Sequence, residues 1–195
     1  MICGIDEAGR GPLAGPVCSA SVILTKDFPV HILNDSKKMT AAKREEVRQV
    51  IYKEAYVWGL GWADHREIDE LNILQATLLA MKRAFLQMLE KASLLSPQNF
   101  RENFIKNLNV IIDGTFAPDI GIPCTTMVKA DSKISEVMAA SILAKYERDK
   151  YMDEMAKQYP LYGYEKHKGY PTKAHREAVQ KYGTSPIQRL TFKVR

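Results

Sequence analysis

Short apolar runs alternate along the chain with longer stretches in which apolar residues recur at helical spacing. The short runs predict five strands, and a turn rich in glycine and proline, from Gly9 to Pro12, joins the first two. The first two runs are almost wholly apolar, which predicts that these strands are buried. The predicted strands cover residues 2–5, 16–24, 56–63, 109–113 and 124–128.

Helical spacing predicts four helices. Thr40 can cap the first, which runs to about residue 55, and Thr172 can cap the last, which ends at Gly183. A third is expected over residues 135–159. The longest follows the third strand and buries one stripe of apolar side chains, made of Leu74, Leu78, Met81, Phe85, Met88 and Leu89.

The order of these elements favours an α/β fold. Several strands come first, and strands then alternate with helices, which predicts a mixed central β-sheet flanked by helices and a helical C-terminal part. The length of 195 residues suits one globular core, so we expect a single domain over residues 1–195. Residues 96–107 are mostly polar and aperiodic, and we expect a surface insertion there.

The composition excludes several classes of protein. Hydrophobic residues make up 46% of the chain, yet no apolar run approaches the ~20 residues that span a bilayer, so no membrane protein is expected. The start of the sequence shows no signal peptide. Cys3, Cys18 and Cys124 are odd in number and widely spaced. This pattern favours reduced thiols in a cytoplasmic protein over disulfides or a zinc site.

The net charge leaves two interpretations open. Lysine and arginine number 28 against 23 aspartates and glutamates, giving a net charge of +5. An excess of positive charge favours a polyanionic partner such as nucleic acid. Ordinary solubility explains the same charge equally well.

Acidic residues stand where predicted strands end. Asp6 and Glu7 close the first strand, Asp113 closes the fourth, and Asp131 follows the fifth. Such acids converge at one edge of a sheet, where they repel one another unless a divalent cation lies between them. A site of carboxylates alone suits Mg²⁺ or Mn²⁺ rather than zinc. Any one of these acids could instead cap a helix or face water, but such structural roles are much less expected for the whole set.

The loop Gly9-Arg10-Gly11-Pro12 directly follows the first pair of acids. Its glycines allow the backbone to approach a ligand closely, and the planar guanidinium of Arg10 can reach a phosphate. The segment also matches the GxGxxG/A pattern of dinucleotide-binding proteins. We reject that assignment because a strand follows the loop, so no helix N-terminus is offered to a pyrophosphate.

Six short motifs follow one another along the chain: Asp6-Glu-Ala-Gly-Arg-Gly-Pro12, Asn34-Asp-Ser-Lys-Lys38, Ile112-Asp-Gly114, Lys129-Ala-Asp-Ser-Lys133, Ala139-Ala-Ser-Ile-Leu-Ala-Lys145 and His167-Lys-Gly-Tyr-Pro-Thr172. In this order they resemble the motifs of the type 2 ribonucleases H, the bacterial ribonuclease HII group. Two positions depart from the family pattern: Ala130 replaces a usual glycine, and Gln188-Arg189 replaces a usual His-Arg pair. The stretch before Ile112 is also longer than usual.

The resemblance implies a ribonuclease H-like fold and an endonuclease that hydrolyses the RNA strand of RNA–DNA hybrids. It also implies nicking on the 5′ side of a single ribonucleotide embedded in duplex DNA, which leaves 3′-hydroxyl and 5′-phosphate ends. Two ions of Mn²⁺ or Mg²⁺ would serve catalysis. The implied catalytic residues and metal ligands are Asp6, Glu7, Asp113 and Asp131, with Asp6 as the ligand shared by the two ions.

The same resemblance implies a set of substrate contacts. Main-chain groups of the glycine loop would read the 2′-hydroxyl, two lysines would contact phosphates, and a tyrosine would stack on a sugar or base. The lysines could instead be a solvated pair, and the tyrosine could be a packing residue. We assign no catalytic role to His167 or His175. We expect them either at the surface or in support of the residues that form the site. The proposed contact residues are Gly9, Arg10, Gly11, Lys37, Lys38 and Tyr170.

The expected partners are an RNA–DNA hybrid and ribonucleotide-containing duplex DNA, bound by a monomer with no membrane attachment. Residues 188–192 resemble sliding-clamp binding peptides at two or three positions, but packing onto the protein explains them better. Two other functions stay open: a nuclease of the same fold that resolves DNA structures, and a binding module with structural acids.

Overall fold

The computed structural model describes residues 1–95 and 104–193, and a mixed sheet of five strands lies at its centre. The strand order across the sheet is β3-β2-β1-β4-β5. The first strand is antiparallel to the second and parallel to the fourth. The strands are β1 (Ile2–Ala8), β2 (Val17–Leu24), β3 (Ala55–Ala63), β4 (Asn109–Asp113) and β5 (Cys124–Met127).

All five predicted strands are present, and β1 is longer than predicted. It continues to Ala8 because Asp6 and Glu7 stay paired with β2, opposite Ala20 and Ser19. The two acids therefore belong to the strand itself. Since successive side chains of a strand point to opposite faces, Asp6 and Glu7 leave β1 on different sides of the sheet.

Six helices with described bounds lie around the sheet, and residues 104–106, before β4, are also helical. As predicted, Thr40 caps the first by accepting a hydrogen bond from the Lys43 amide at 3.2 Å. Thr172 caps the last, accepting from the His175 amide at 3.3 Å. The helices are α1 (Ala41–Glu54), α2 (His65–Leu71), α3 (Ile73–Leu95), α4 (Ser135–Gln158), α5 (Tyr164–His167) and α6 (Lys173–Tyr182).

The predicted long helix is present as α3, and a short helix that was not predicted, α2, precedes it and is separated from it at Asn72. This residue has a φ of 71°, a left-handed conformation that ends α2, and its side chain accepts from the Leu74 amide at 3.0 Å to start α3. A capping box between Asp64 and Glu67 starts α2. Among the described residues, no helix is both long and apolar enough to cross a membrane.

Helix α3 covers one face of the sheet, and its backbone packs unusually close to strand β3. The alanines Ala76, Ala80 and Ala84 are fully buried, whereas Leu74, Leu78 and Leu89 of the predicted stripe are half-buried. The reason lies in β3: a Cβ atom on Gly61 would overlap the Ala80 carbonyl oxygen and the Ala84 amide nitrogen. Glycine in the strand and alanine in the helix together allow this close approach.

Helix α4 covers the opposite face and lies directly on β1. A Cβ atom on Gly4 would overlap the backbone of Glu136 and Val137, near the start of α4. Cys3 and Ile5 face the core on the α3 side. By the alternation of the strand, Asp6 faces α4.

The predicted surface insertion over residues 96–107 lies partly outside the described residues, which omit 96–103. Its last part differs from the prediction, because Phe104 is 7% exposed and packs in the core with Phe85 and Met88. An aromatic side chain among polar neighbours was the signal for this burial.

We expect Gly61→Ala to destabilise the fold by about 3 kcal/mol, because the new methyl group meets helix backbone and not a movable side chain. Thermal unfolding of the variant measures the loss. Leu86→Ala, an exposed position of α3, is the control and should change stability by less than about 0.5 kcal/mol. Equal melting temperatures for Gly61→Ala and wild type would contradict the close packing of α3 on β3.

Candidate active site

Three carboxylates meet at one edge of the sheet. Side-chain oxygens of Asp6, Asp113 and Asp131 lie within 4.8 Å of one another. The parallel pairing of β1 and β4 accounts for the first two: Ile5 lies opposite Ile112, so the next residues, Asp6 and Asp113, emerge side by side. The sequence-based expectation that acids at strand ends converge is therefore met by these three.

Asp131 arrives from a 3-10 turn, Ala130–Ser132, after β5. The turn begins at Lys129 in a left-handed conformation, with a φ of 58°. The Ala130 amide then donates to the Asp113 carboxylate at 2.7 Å. This hydrogen bond ties the turn to the end of β4 and fixes Asp131 next to Asp113. Ala130, a departure from the family pattern, is fully buried here.

Glu7 is not one of these three: its side chain leaves β1 on the opposite face, yet its carboxyl stays close enough to form a hydrogen bond with that of Asp6. Its carboxylate is 3.6 Å from the guanidinium of Arg10. It still lines the same cavity, together with Arg10 and Asp113. The four predicted acids thus form a compact trio with a fourth carboxylate at the cavity wall, a division that strand alternation produces.

The carboxylates disfavour one another's charge. Burial raises the pKa of Asp6 well above its ordinary value, the Glu7 charge adds to this, and a hydrogen bond to Ser141 opposes it. Burial also raises the pKa of Glu7, which Arg10 partly offsets. Asp131 has a raised pKa through burial and the neighbouring Asp113.

This donor set fits a hard divalent cation. It consists of carboxylate oxygens, the ligands that Mg²⁺ and Mn²⁺ prefer. Asp6 is 5% exposed and forms no ion pair within the described part of the chain. A cation bound among the acids would stabilise the charged forms of Asp6 and Asp131, which burial and neighbouring acids disfavour.

A cavity of about 650 Å³ opens over the three carboxylates. Of the six residues predicted to contact substrate, Lys38 is absent from its lining, since its side chain is 77% exposed and lies 3.9 Å from Asp35. The five that line the cavity are Gly9, Arg10, Gly11, Lys37 and Tyr170.

Tyr170 closes one side of the cavity and is 39% exposed. Its backbone is held at both ends: its amide donates to the His167 carbonyl at 2.8 Å, and its carbonyl faces His175 Nδ1 at 3.0 Å. The two histidines are buried and stack with ring centroids 4.6 Å apart. Burial lowers the pKa of both. They support the Tyr170 loop from inside and are not surface groups.

Other polar residues of the cavity were not among the predicted substrate contacts, although Ser36, Ser141 and Lys145 stand in the family motifs. Ser141 and Lys145 lie one helical turn apart on α4, and Lys145 donates to Asp149 at 2.7 Å. The signal was present in the sequence, since two polar residues four positions apart interrupt a buried apolar stretch. The Ser36 and Ser141 hydroxyls lie 3.0 Å apart, and Arg44 donates to the Met39 carbonyl at 2.9 Å.

Residues 188–192 pack onto the protein. Gln188 is 2% exposed and Arg189 is fully buried. The Asp69 carboxylate accepts hydrogen bonds from the amides of Leu190 and Thr191, at 2.8 and 2.9 Å. The segment that resembles a clamp-binding peptide is thus engaged within the fold.

Comparison with known proteins agrees with this fold. Residues 3–195 match the family model described as Ribonuclease HII. A ribonuclease HII of Treponema denticola is 54% identical over 199 residues, which cover 100% of this chain and 99% of that protein.

Two solved structures share the fold. The complex of PCNA with RNase HII from Archaeoglobus fulgidus contains a chain with a TM-score of 0.71 and 23% identity, covering 97% of this chain and 92% of that one. Bst-RNase HIII in complex with Mn²⁺ gives a TM-score of 0.77 at 18% identity, covering 99% of this chain and 67% of that one. The predicted ribonuclease H-like fold is confirmed.

The family model spans nearly the whole sequence, and a relative is more than half identical along its entire length. The chain therefore belongs to the ribonuclease HII family and is a divalent metal-dependent ribonuclease H, an endoribonuclease.

Proposed function

We propose that this protein hydrolyses the RNA strand of RNA–DNA hybrids and nicks duplex DNA on the 5′ side of a single embedded ribonucleotide. The observation that carries the proposal is the trio Asp6, Asp113 and Asp131 at the floor of a cavity whose walls hold the glycine loop and basic groups. Such a cavity suits a polyanionic strand whose phosphate must lie against acids, which requires cations between them.

Asp6, Glu7, Asp113 and Asp131 would hold two ions of Mg²⁺ or Mn²⁺, with Asp6 shared between them. When bound, the ions polarise an attacking water and neutralise the charge that develops on the phosphate. The raised pKa values of Asp6, Glu7 and Asp131 support this assignment, because burial and neighbouring acids disfavour the charged forms that a bound cation would stabilise.

The chain's own residues position the strand for hydrolysis. The glycine loop faces the ribonucleotide, Lys37 contacts a phosphate, and Tyr170 packs against a sugar. Water oxygen bonds to phosphorus as the bond between phosphorus and the 3′ oxygen breaks, and that oxygen takes up a proton. The products carry 3′-hydroxyl and 5′-phosphate ends, and the ribose 2′-hydroxyl serves recognition only.

The proposed partners are the two nucleic-acid duplexes, bound by a monomer. The archaeal enzyme in the solved complex is joined to PCNA. In this chain, a sliding-clamp contact through residues 188–192 would require release of the hydrogen bonds to Asp69. We therefore assign this segment first to internal packing.

One assay separates this function from its alternatives. Three duplexes of one sequence are incubated with Mn²⁺ or with EDTA: one with a single ribonucleotide, one RNA–DNA hybrid and one all-DNA junction. Metal-dependent nicking 5′ of the ribonucleotide supports the proposal. Cleavage of the all-DNA junction alone would identify a structure-resolving nuclease, and binding without cleavage would identify a binding module.

Asp6→Asn should lower the cleavage rate by at least about a hundredfold while duplex binding persists, since bound ions supply several kcal/mol of charge stabilisation. Without metal the variant should melt at a higher temperature than wild type, because one repelling carboxylate is removed. Mn²⁺ should raise the melting temperature of wild type far more than that of the variant.

The pH dependence of the same variant has a defined sign. A carboxyl whose pKa is raised by folding stabilises the fold in its protonated form, below its unfolded pKa of about 4, and destabilises it as pH rises through the raised value. Metal-free wild type should therefore lose more stability above pH 4 than Asp6→Asn does. Asp27→Asn, an exposed acid outside the cavity, is the control. If the control and Asp6→Asn behave alike, the ligand assignment is wrong.

Lys37→Ala and Lys38→Ala form a matched pair. Lys37 lines the cavity and Lys38 does not. Lys37→Ala should weaken binding to every duplex and reduce the slope of log Kd against log salt by about 1, because one phosphate contact is lost. Lys38→Ala should leave that slope near the wild-type value. Fluorescence anisotropy over a salt series measures both slopes, and equal changes would remove Lys37 from the phosphate contacts.

Tyr170→Ala should lose much of its activity on single-ribonucleotide DNA and proportionally less on long hybrids. A rigid ring packed on the deoxyribose after the ribonucleotide favours that junction, and such stacking is worth roughly 1–3 kcal/mol, or about ten- to a hundredfold in kcat/KM. Tyr182→Ala, at an exposed tyrosine outside the cavity lining, is the control. An unchanged ratio of kcat/KM between the two substrates would assign Tyr170 to packing alone.

A further inference from the structure

Two buried arginines lie next to the glycine loop: Arg148 packs against Gly9, and Arg189 donates to the carbonyl oxygens of the loop. Arg148 of α4 is 1% exposed, and Arg189, near the C-terminus, is fully buried. Within the described residues neither arginine forms an ion pair, and the hydrogen bonds of both guanidinium groups go to main-chain carbonyls. Burial and the neighbouring Arg148 lower the pKa of Arg189 to about 9, so it is a cation at neutral pH.

Arg189 contacts nearly the whole loop. Its Nη2 donates to the Gly9 carbonyl at 2.6 Å, and its Nη1 donates to the carbonyls of Arg10 at 3.0 Å and Pro12 at 2.8 Å. Two further bonds go to Gly15 and Pro16, at 2.9 and 3.2 Å. One planar guanidinium thus orders five carbonyl groups between residues 9 and 16.

These contacts determine which way the peptide groups of the loop face. In a trans peptide the C=O and the following N–H point in opposite directions. Because the Gly9 and Arg10 carbonyls face Arg189, the N–H groups of Arg10 and Gly11 face away from it. Both residues line the cavity, and in the described part of the chain neither N–H has a protein acceptor.

We propose that Arg189 is the positioning residue that turns the Arg10 and Gly11 N–H groups toward the cleft, where they donate to an oxygen of the ribonucleotide. The acceptor is the 2′-hydroxyl oxygen or the adjacent phosphate oxygen. The inference rests on the proposed function and deepens it, because it assigns recognition to a residue outside the cavity lining.

The position of Arg189 is itself fixed. Asp69 of α2 accepts from the amides of Leu190 and Thr191 and from the Thr191 hydroxyl, the last at 2.6 Å. On the other side the Phe192 ring lies 5.1 Å from the Arg189 guanidinium carbon. Arg189, which orders the loop, is thus held in place by the contacts of the residues that follow it in the chain.

Lysine cannot reproduce these contacts. An ammonium group has three donors at one point, whereas a guanidinium has five in a rigid plane. Arg189→Lys keeps the charge and most of the volume but leaves several loop carbonyls unpaired. It therefore tests the geometry of the donors separately from the charge.

The experiment compares Arg189→Lys with Arg83→Lys, at temperatures where both variants are folded. Arg83 also joins two elements, donating to the Trp62 carbonyl and to Glu67, but lies outside the cavity lining. Arg189→Lys should lower kcat on single-ribonucleotide DNA about a hundredfold, because the Arg10 and Gly11 N–H groups would no longer be held in position. KM should change much less. Arg83→Lys should keep wild-type kinetics. Equal kinetics of Arg189→Lys and wild type would overturn the proposal.

Binding in EDTA distinguishes the two acceptors. A loss of affinity confined to the ribonucleotide-containing duplex identifies the 2′-hydroxyl, and an equal loss on all-DNA duplex of the same sequence identifies the phosphate. If Arg189→Lys lost no affinity for either duplex, neither oxygen would be the acceptor and the proposal would fail.

Amide hydrogen exchange of the wild-type enzyme gives a test that needs no variant. Bound ribonucleotide duplex in EDTA should slow exchange at Arg10 and Gly11, and unchanged exchange at both would overturn the proposal. If instead wild type fails to nick the ribonucleotide duplex in Mn²⁺ while these amides are protected, the proposed function fails and the positioning role stands.

Discussion

The parallel pairing of β1 with β4 is the contact on which the site depends. It places Asp6 beside Asp113 at the edge of a sheet, in a setting where burial and the neighbouring acids both disfavour the charge of Asp6. The hydrogen bond from Ala130 to Asp113 then adds the third carboxylate. The fold thus brings together like charges whose mutual repulsion falls when cations bind. The same cluster of carboxylates therefore accounts for both metal binding and hydrolysis.

Side chains from the two faces of β1 make different contacts at this edge of the sheet. Asp6 faces α4, which also contributes Ser141 and Lys145 to the cavity, whereas Glu7 points to the other face and lies near Arg10. Close packing of both helices keeps this strand in place. Gly4 lets α4 lie on β1, and Gly61 lets α3 lie on β3. Small residues at these contacts therefore position the acids indirectly.

Sequence patterns predicted the strands, the threonine caps and the convergence of acids because each of these depends on local spacing. They did not predict the short helix α2 or its end at Asn72, which depends on a residue with a positive φ. They also missed the different positions of Lys37 and Lys38, since adjacent lysines in a polar loop look alike until the loop is folded. The contacts of Arg189 with the glycine loop were not predicted either, because the two segments are far apart in the sequence.

The distance between Gly9 and Arg189 along the chain, 180 positions, has a consequence for biosynthesis. The strands that carry Asp6 and Asp113, and the turn that carries Asp131, leave the ribosome well before Arg189 does. A nascent chain can therefore assemble its acidic centre while the glycine loop still lacks its guanidinium support. The loop gains these hydrogen bonds only after Arg189 has emerged, so the proposed recognition of the ribonucleotide would follow the assembly of the acidic centre.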